Sequence, residues 1–213
     1  KKRESTMNWT DNVVMRALSR VCDFILLNIL WMICSIPLFT IGASTTALYT
    51  VMLKIVKNEE GYIVKGFFRA FKDNFKKGTI IWLIMSGIGI VLGFDVRLVS
   101  GMEPPIRTVF QGIFTILGFI WVCAVIYVFP LTARYENTIK NTLKNALLLS
   151  VAKLPYTILM VVVTAGPVIL TLLNTRTLLI GITLWLVAGV SLVAWVNSFM
   201  LHKVFGIFHT NEN

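Results

Sequence analysis

Residues 35–56 read SIPLFTIGASTTALYTVMLKIV and overlap a longer run, Phe24–Leu53, that holds no charged side chain. A single straight helix over that run would be about 45 Å long, against a hydrocarbon core of about 30 Å. The stretch also carries its own turn signals. Pro37 breaks a hydrogen-bond ladder, Gly42 permits a left-handed backbone, and Ser44 or Thr45 can cap a new helix. The pattern predicts two helices folded back on each other at residues 37–44, the second short and tilted. The competing reading keeps residues 44–57 as a helix at the membrane interface.

Charge counting supports the fold-back. With a hairpin at this point, 17 of the 20 Lys and Arg fall on one side of the membrane; with a single span the split is 12 against 8. Basic residues collect in cytoplasmic loops. The expected topology therefore has both termini in the cytoplasm of a bacterial cell, and the same rule explains the net charge of +10 as contact with anionic headgroups. No motif interleaves these bases in the manner of a nucleic-acid-binding protein.

Composition agrees with a bilayer setting. Of 213 residues, 56% are hydrophobic and 14% charged, and the mean hydropathy is +0.78; a soluble domain carries about 25% charged residues. Four further uncharged runs, Gly78–Phe94, Thr108–Ala133, Leu154–Thr175 and Thr177–Leu201, have the length of a span. The first span is longer than a signal-peptide core and is read as a mature helix. The expected fold is an all-α polytopic bundle of six helices in one domain, residues 1–213.

A repeat organises the chain. FKDNFKKGTII (71–81) aligns without gaps on IKNTLKNALLL (139–149), and MRALSR (15–20) is a looser copy before the first span. Three units follow, each an amphipathic lead-in (about 8–20, 62–77 and 135–153) and a hairpin (about 21–57, 78–133 and 154–201). In the middle lead-in Val64, Phe67, Phe68, Phe71 and Phe75 share one face of a helical wheel, beside a basic stripe of Lys65, Arg69, Lys72 and Lys76. That is the pattern of a helix lying in the interface.

Chemistry-bearing motifs are missing. The chain has no GxSxG, HExxH or P-loop, and Cys22, Cys34 and Cys123 form no CxxC pair. His202 and His209 sit isolated in the tail. Within the spans the polar residues are few: Asn28, Ser35, Ser86, Thr164, Asn197 and some hydroxyls. Ion-coupled transport draws on charged groups in the bilayer. The reading is a protein without enzymatic activity, cofactor or metal. Gly89 and Gly93, and Gly181 with Gly189, suit close helix contact, and Gly166-Pro167 predicts a kink.

SIPLFTIGASTTALYTVMLKIVKNEEGYIVKGFFRAFKDNFKKG, followed by FPLTARYENTIKNTLKNALLLSVAKLP, resembles the YesL-like family of bacterial membrane proteins. The resemblance runs through nearly the whole chain, with PLFTIG-STTAL its most specific part. It implies association with carbohydrate-uptake systems, and no established activity comes with it. Residues 136–155 are also similar in length and end points to the cytoplasmic coupling loop of transporter permeases. Glu136, Leu154 and Pro155 match that loop. Asn137, Thr138 and Thr142 depart from its two alanines and its bend-forming glycine, which speaks against ATPase coupling. The expected function is an accessory protein of carbohydrate uptake that packs against a sugar-transporter permease or membrane sensor. Glu136, Lys140, Lys144 and Pro155 are the candidate docking residues, with Glu136 orienting Lys140 through an i,i+4 pair. The alternative is a permease-like transporter that moves a small solute itself.

Overall fold

The computed structural model describes residues 2–59, 61–101 and 103–209, without the side chains at 2–14, 16, 96, 100 and 207–209. Among the described residues there is no strand. The elements are α1 (Lys2–Ser35), a 3-10 turn (Leu38–Thr40), α2 (Ile41–Val56), α3 (Ile63–Ser100), α4 (Ile106–Arg134), α5 (Ile139–Ala152), α6 (Leu154–Leu172), α7 (Thr175–Leu184), a π-helical turn (Trp185–Gly189) and α8 (Val190–His209). Six stretches are long and apolar enough to cross a membrane: Ala17–Ser35, Leu38–Val56, Ile63–Val99, Ile106–Arg134, Leu154–Leu172 and Thr175–Gly206. This is an all-α, multi-pass membrane bundle.

The fold-back is present, and its turn is shorter than expected. Only Ile36–Thr40 leaves the α-helical path, with Pro37 extended at φ −74°, ψ 109°. Gly42 and Ser44 are not turn residues; both lie inside α2 and are buried. No glycine among the described residues has positive φ. The turn is closed by Thr40, whose hydroxyl donates to the carbonyls of Cys34 and Pro37 at 2.6 Å each. Its amide also donates to Pro37 O at 2.8 Å.

Gly42 has a different role. A Cβ there would collide with the Gly78 carbonyl and with Trp82, and a Cβ on Gly78 would stand 2.9 Å from Ala43 Cα. These two glycines let the α2 and α3 backbones touch. A second contact joins Val51 to Gly66. α2 therefore runs antiparallel along residues 63–82 of α3, beside the basic lead-in and the first turn of the apolar stretch that follows it. It is the central helix of the bundle, packed on α1, α3, α4 and α8, with Ala43, Ala47, Leu48 and Met52 fully enclosed.

The three lead-ins do not behave alike. Residues 62–77 are not a separate helix, because α3 continues unbroken from Ile63 to Ser100. The lead-in at 8–20 likewise runs on within α1, and most of its side chains fall outside the described set. Only 135–153 stands apart, as α5. Its helix ends at Lys153 (φ −122°, ψ 43°), and Pro155 opens α6. Proline lacks an amide and clashes with the preceding turn, so it tolerates only a helix start. At the repeat offset of 68 residues, α3 has Gly87 there, and the helix continues.

Asn28 of α1 fixes the last helix. Its Nδ2 donates to the carbonyls of Trp185 and Leu186 at 2.9 Å each. Its Oδ1 accepts from the amides of Val190 and Ser191 at 3.1 and 3.2 Å. A π-turn displaces backbone groups from their α-helical partners, and one fully buried amide meets four of them.

Candidate functional site: the basic end of the bundle

The last turn of α2, the start of α3, the end of α4 and all of α5 gather most of the described cations. Of the basic stripe, Lys65, Arg69, Lys72 and Lys76 are all exposed, as the wheel predicts. The aromatic face divides. Phe67 is fully buried in the core and Phe71 half-buried against it, whereas Val64, Phe68 and Phe75 stay exposed. The side that the wheel aims at lipid thus partly faces α2. Lys65 and Arg69 line a cleft of about 560 Å³ that also takes in Lys54, Glu59, Asp73 and Asn74. Arg69 Nε stands 3.9 Å from Asp73.

On α5 the exposed residues include Lys140 and Lys144, while Thr142, Ala146, Leu149 and Ser150 turn inward. Thr138 caps the helix, its Oγ1 accepting from the Asn141 amide at 3.4 Å. Glu136 does not orient Lys140. It lies in the extended link before the helix begins, so i,i+4 geometry does not exist there. Its charge acts instead on Lys77 of α3, whose Nζ donates to Tyr135 O at 3.5 Å. Pro155 is exposed at the head of α6. α5 is one uninterrupted helix, so the bend implied by a permease coupling loop is absent, in keeping with threonine at 142.

A cavity of about 430 Å³ opens between α4, α5 and α8, with Leu131, Tyr135, Asn145, Leu148, Leu149 and Phe205 in its wall. Next to it the Arg134 guanidinium sits over the rings of Phe205 (5.0 Å) and Tyr135 (5.6 Å), which meet edge to face at 5.7 Å. Sequence reading missed this cluster. Its only signal was Arg-Tyr at the end of an apolar run, and Phe205 arrives from 70 residues away in the chain.

The sparse polar residues of the spans are also brought together. Asn197 Nδ2 donates to Thr164 Oγ1 at 3.0 Å and to Tyr49 Oη at 3.5 Å, while Asn197 Oδ1 has no protein partner. Tyr127 and Thr157 share a buried hydrogen bond of 3.0 Å. Of the small residues, Gly89 lies against the Trp121 ring and Gly181 against Thr171, whereas Gly93 and Gly166 face open space.

The family described as "Protein of unknown function, DUF624" matches residues 24–96. That segment holds α2, the hairpin turn and the lining of the 560 Å³ cleft. The uncharacterized protein YteU of Bacillus subtilis is 28% identical over 69% of this chain and 69% of its own length. The uncharacterized protein YesL of the same organism is 26% identical over 78% of this chain and 82% of its own. No solved structure matches the chain. The chain is similar to these two proteins, and the segment that the family model matches is the one that builds the centre of the bundle.

Proposed function

We propose that this protein is a non-enzymatic accessory component of carbohydrate uptake in the bacterial cell membrane, docking from the cytoplasmic side onto a transporter permease or membrane sensor. The observation that carries the reading is α5. It is a discrete amphipathic helix between two apolar ones, with Lys140 and Lys144 outward and an open, mostly apolar cavity at its side. A cationic rim around an apolar recess suits a partner with an acidic surface and a protruding apolar side chain; charge complementarity then sets specificity more than affinity. The carbohydrate link rests on the YesL-like resemblance alone. The cytoplasmic placement of this end and of both termini rests on the distribution of bases.

Gentle extraction followed by mass spectrometry of co-purifying proteins tests the reading. Lys140→Glu with Lys144→Glu is expected to abolish co-purification of the partner while leaving expression intact; unchanged co-purification removes α5 as the docking surface. A second reading, a permease-like protein moving a small solute, is favoured by one feature. Asn197 Oδ1 is a buried acceptor without a protein partner, set among Tyr49 and Thr164. Solute uptake by reconstituted protein, lost in Asn197→Leu, would establish it.

A further inference from the structure

We infer that the outward face of α5 is a lipid-contact surface: its first half stands at the headgroups, and its second half is embedded where headgroups meet acyl chains. Four residues define that face. Lys140, Lys144, Leu147 and Val151 are spaced i, i+4, i+7 and i+11, which puts them within a sector of about 60° at 3.6 residues per turn. All four are exposed. The stripe therefore changes character along the helix, from two cations to two large apolar side chains. Leu147 is 45% and Val151 63% exposed, with Leu148 beside them at 57%. The opposite face, Thr142, Ala146, Leu149 and Ser150, is buried, with α5 packed on α4 and α6.

What covers the apolar half follows from its neighbours. A surface helix in water keeps its outward face polar along its whole length; one at a bilayer turns bases to phosphates and apolar side chains to the tails. Only Lys153 separates α5 from α6. Past it the exposed apolar side chains run on as Leu154, Ile158, Leu159 and Val162, in a helix long and apolar enough to span the membrane. Leu147, Leu148 and Val151 are thus the edge of a surface that lipid already covers. Lys153 itself is half-buried, and a lysine stem is long enough to carry its amine back to the headgroups.

The repeat supplies an independent reason. At the offset of 68 residues, Lys140 and Lys144 match Lys72 and Lys76, Leu147 matches Thr79, and Val151 matches Leu83. In α3 the same passage from cations to apolar residues leads straight into the uncharged run Gly78–Phe94, where Leu83 is exposed. The second half of α5 therefore corresponds to the opening turns of a span, cut short by Pro155. The contact needs no protein partner and holds whether or not one docks at the lysines.

The test uses full-length protein with Cys22, Cys34 and Cys123 replaced by alanine, purified and reconstituted in vesicles of phosphatidylcholine and phosphatidylglycerol. Single cysteines replace Asn141, Leu147, Val151 and Leu159, all exposed positions where a fold change is not expected, and each carries a spin label. Labels on Leu147→Cys and Val151→Cys are expected to collide more with oxygen than with a water-soluble nickel chelate, as the label on Leu159→Cys in the span does. Their nickel accessibility is expected to fall several-fold below that of Asn141→Cys. Nickel accessibility equal to that of Asn141→Cys overturns the inference in favour of a helix in water. Low collision with both agents overturns it in favour of a protein cover, a second copy of this chain.

Discussion

α2 and the outer part of α3 are both helical and nearly free of charge, yet their side chains meet opposite surroundings. Eleven of the 16 residues of α2 are buried. Its first turns, residues 42–47, are all Gly, Ala, Ser and Thr, and the hydroxyls of Thr46 and Thr50 are turned onto its own backbone, donating to Gly42 O at 2.8 Å and Thr46 O at 2.9 Å. The outer part of α3 instead presents Leu83, Ile88, Ile90, Val91, Phe94 and Leu98 outward. Small residues allow close backbone approach where protein meets protein; large ones cover the helix where it meets lipid tails. Apolarity alone does not tell a central helix from a peripheral one. Residue size does.

That contrast can be broken most strongly at Asn28, the amide that holds the π-turn beside this core. Asn28→Ala leaves two carbonyls and two amides without their partner and is expected to cost about 2–4 kcal/mol, measured as a loss of stability to denaturant in mild detergent. A cost below 1 kcal/mol would mean that the helix relaxes to an ordinary α path at no penalty.

Next come the glycines. Gly42→Ala and Gly78→Ala force α2 and α3 apart and are each expected to cost about 1–3 kcal/mol. Gly93→Ala, in open space on the outer part of α3, is expected to stabilise by up to about 1 kcal/mol through helix propensity. Opposite signs from the same chemical change would sharpen the comparison, and equal signs would end it. Both are read from thermal unfolding.

Smaller still is Tyr127→Phe, which removes a hydroxyl hydrogen-bonded to Thr157 and is expected to cost about 1 kcal/mol. Thr157 retains its bonds to the carbonyls of Ser150 and Lys153, so the loss is partial. The smallest effect belongs to Asp73→Asn on the exposed lead-in. Its pair with Arg69 is solvated at 3.9 Å, and a change below about 0.5 kcal/mol is expected in the same unfolding assay.

The sequence by itself determined the class of the molecule. Run lengths and charge spacing read as a multi-pass helical bundle, Pro37 marks the fold-back, and the amphipathic wheel places Lys65, Arg69, Lys72 and Lys76 on an exposed stripe, because these properties depend only on local composition and period. Tertiary structure decided what each signal was for. Gly42 reads as a turn residue until Gly78 is found against it, since a glycine's freedom and its smallness look alike in one dimension. Glu136 reads as a partner of Lys140 until Thr138 is seen to start the helix after it. Two lead-ins of similar sequence differ because Pro155 ends one helix where Gly87 continues the other. Asn28 is the extreme case. Its four hydrogen bonds go to residues about 160 positions away, and nothing local distinguishes it from an ordinary asparagine in a span.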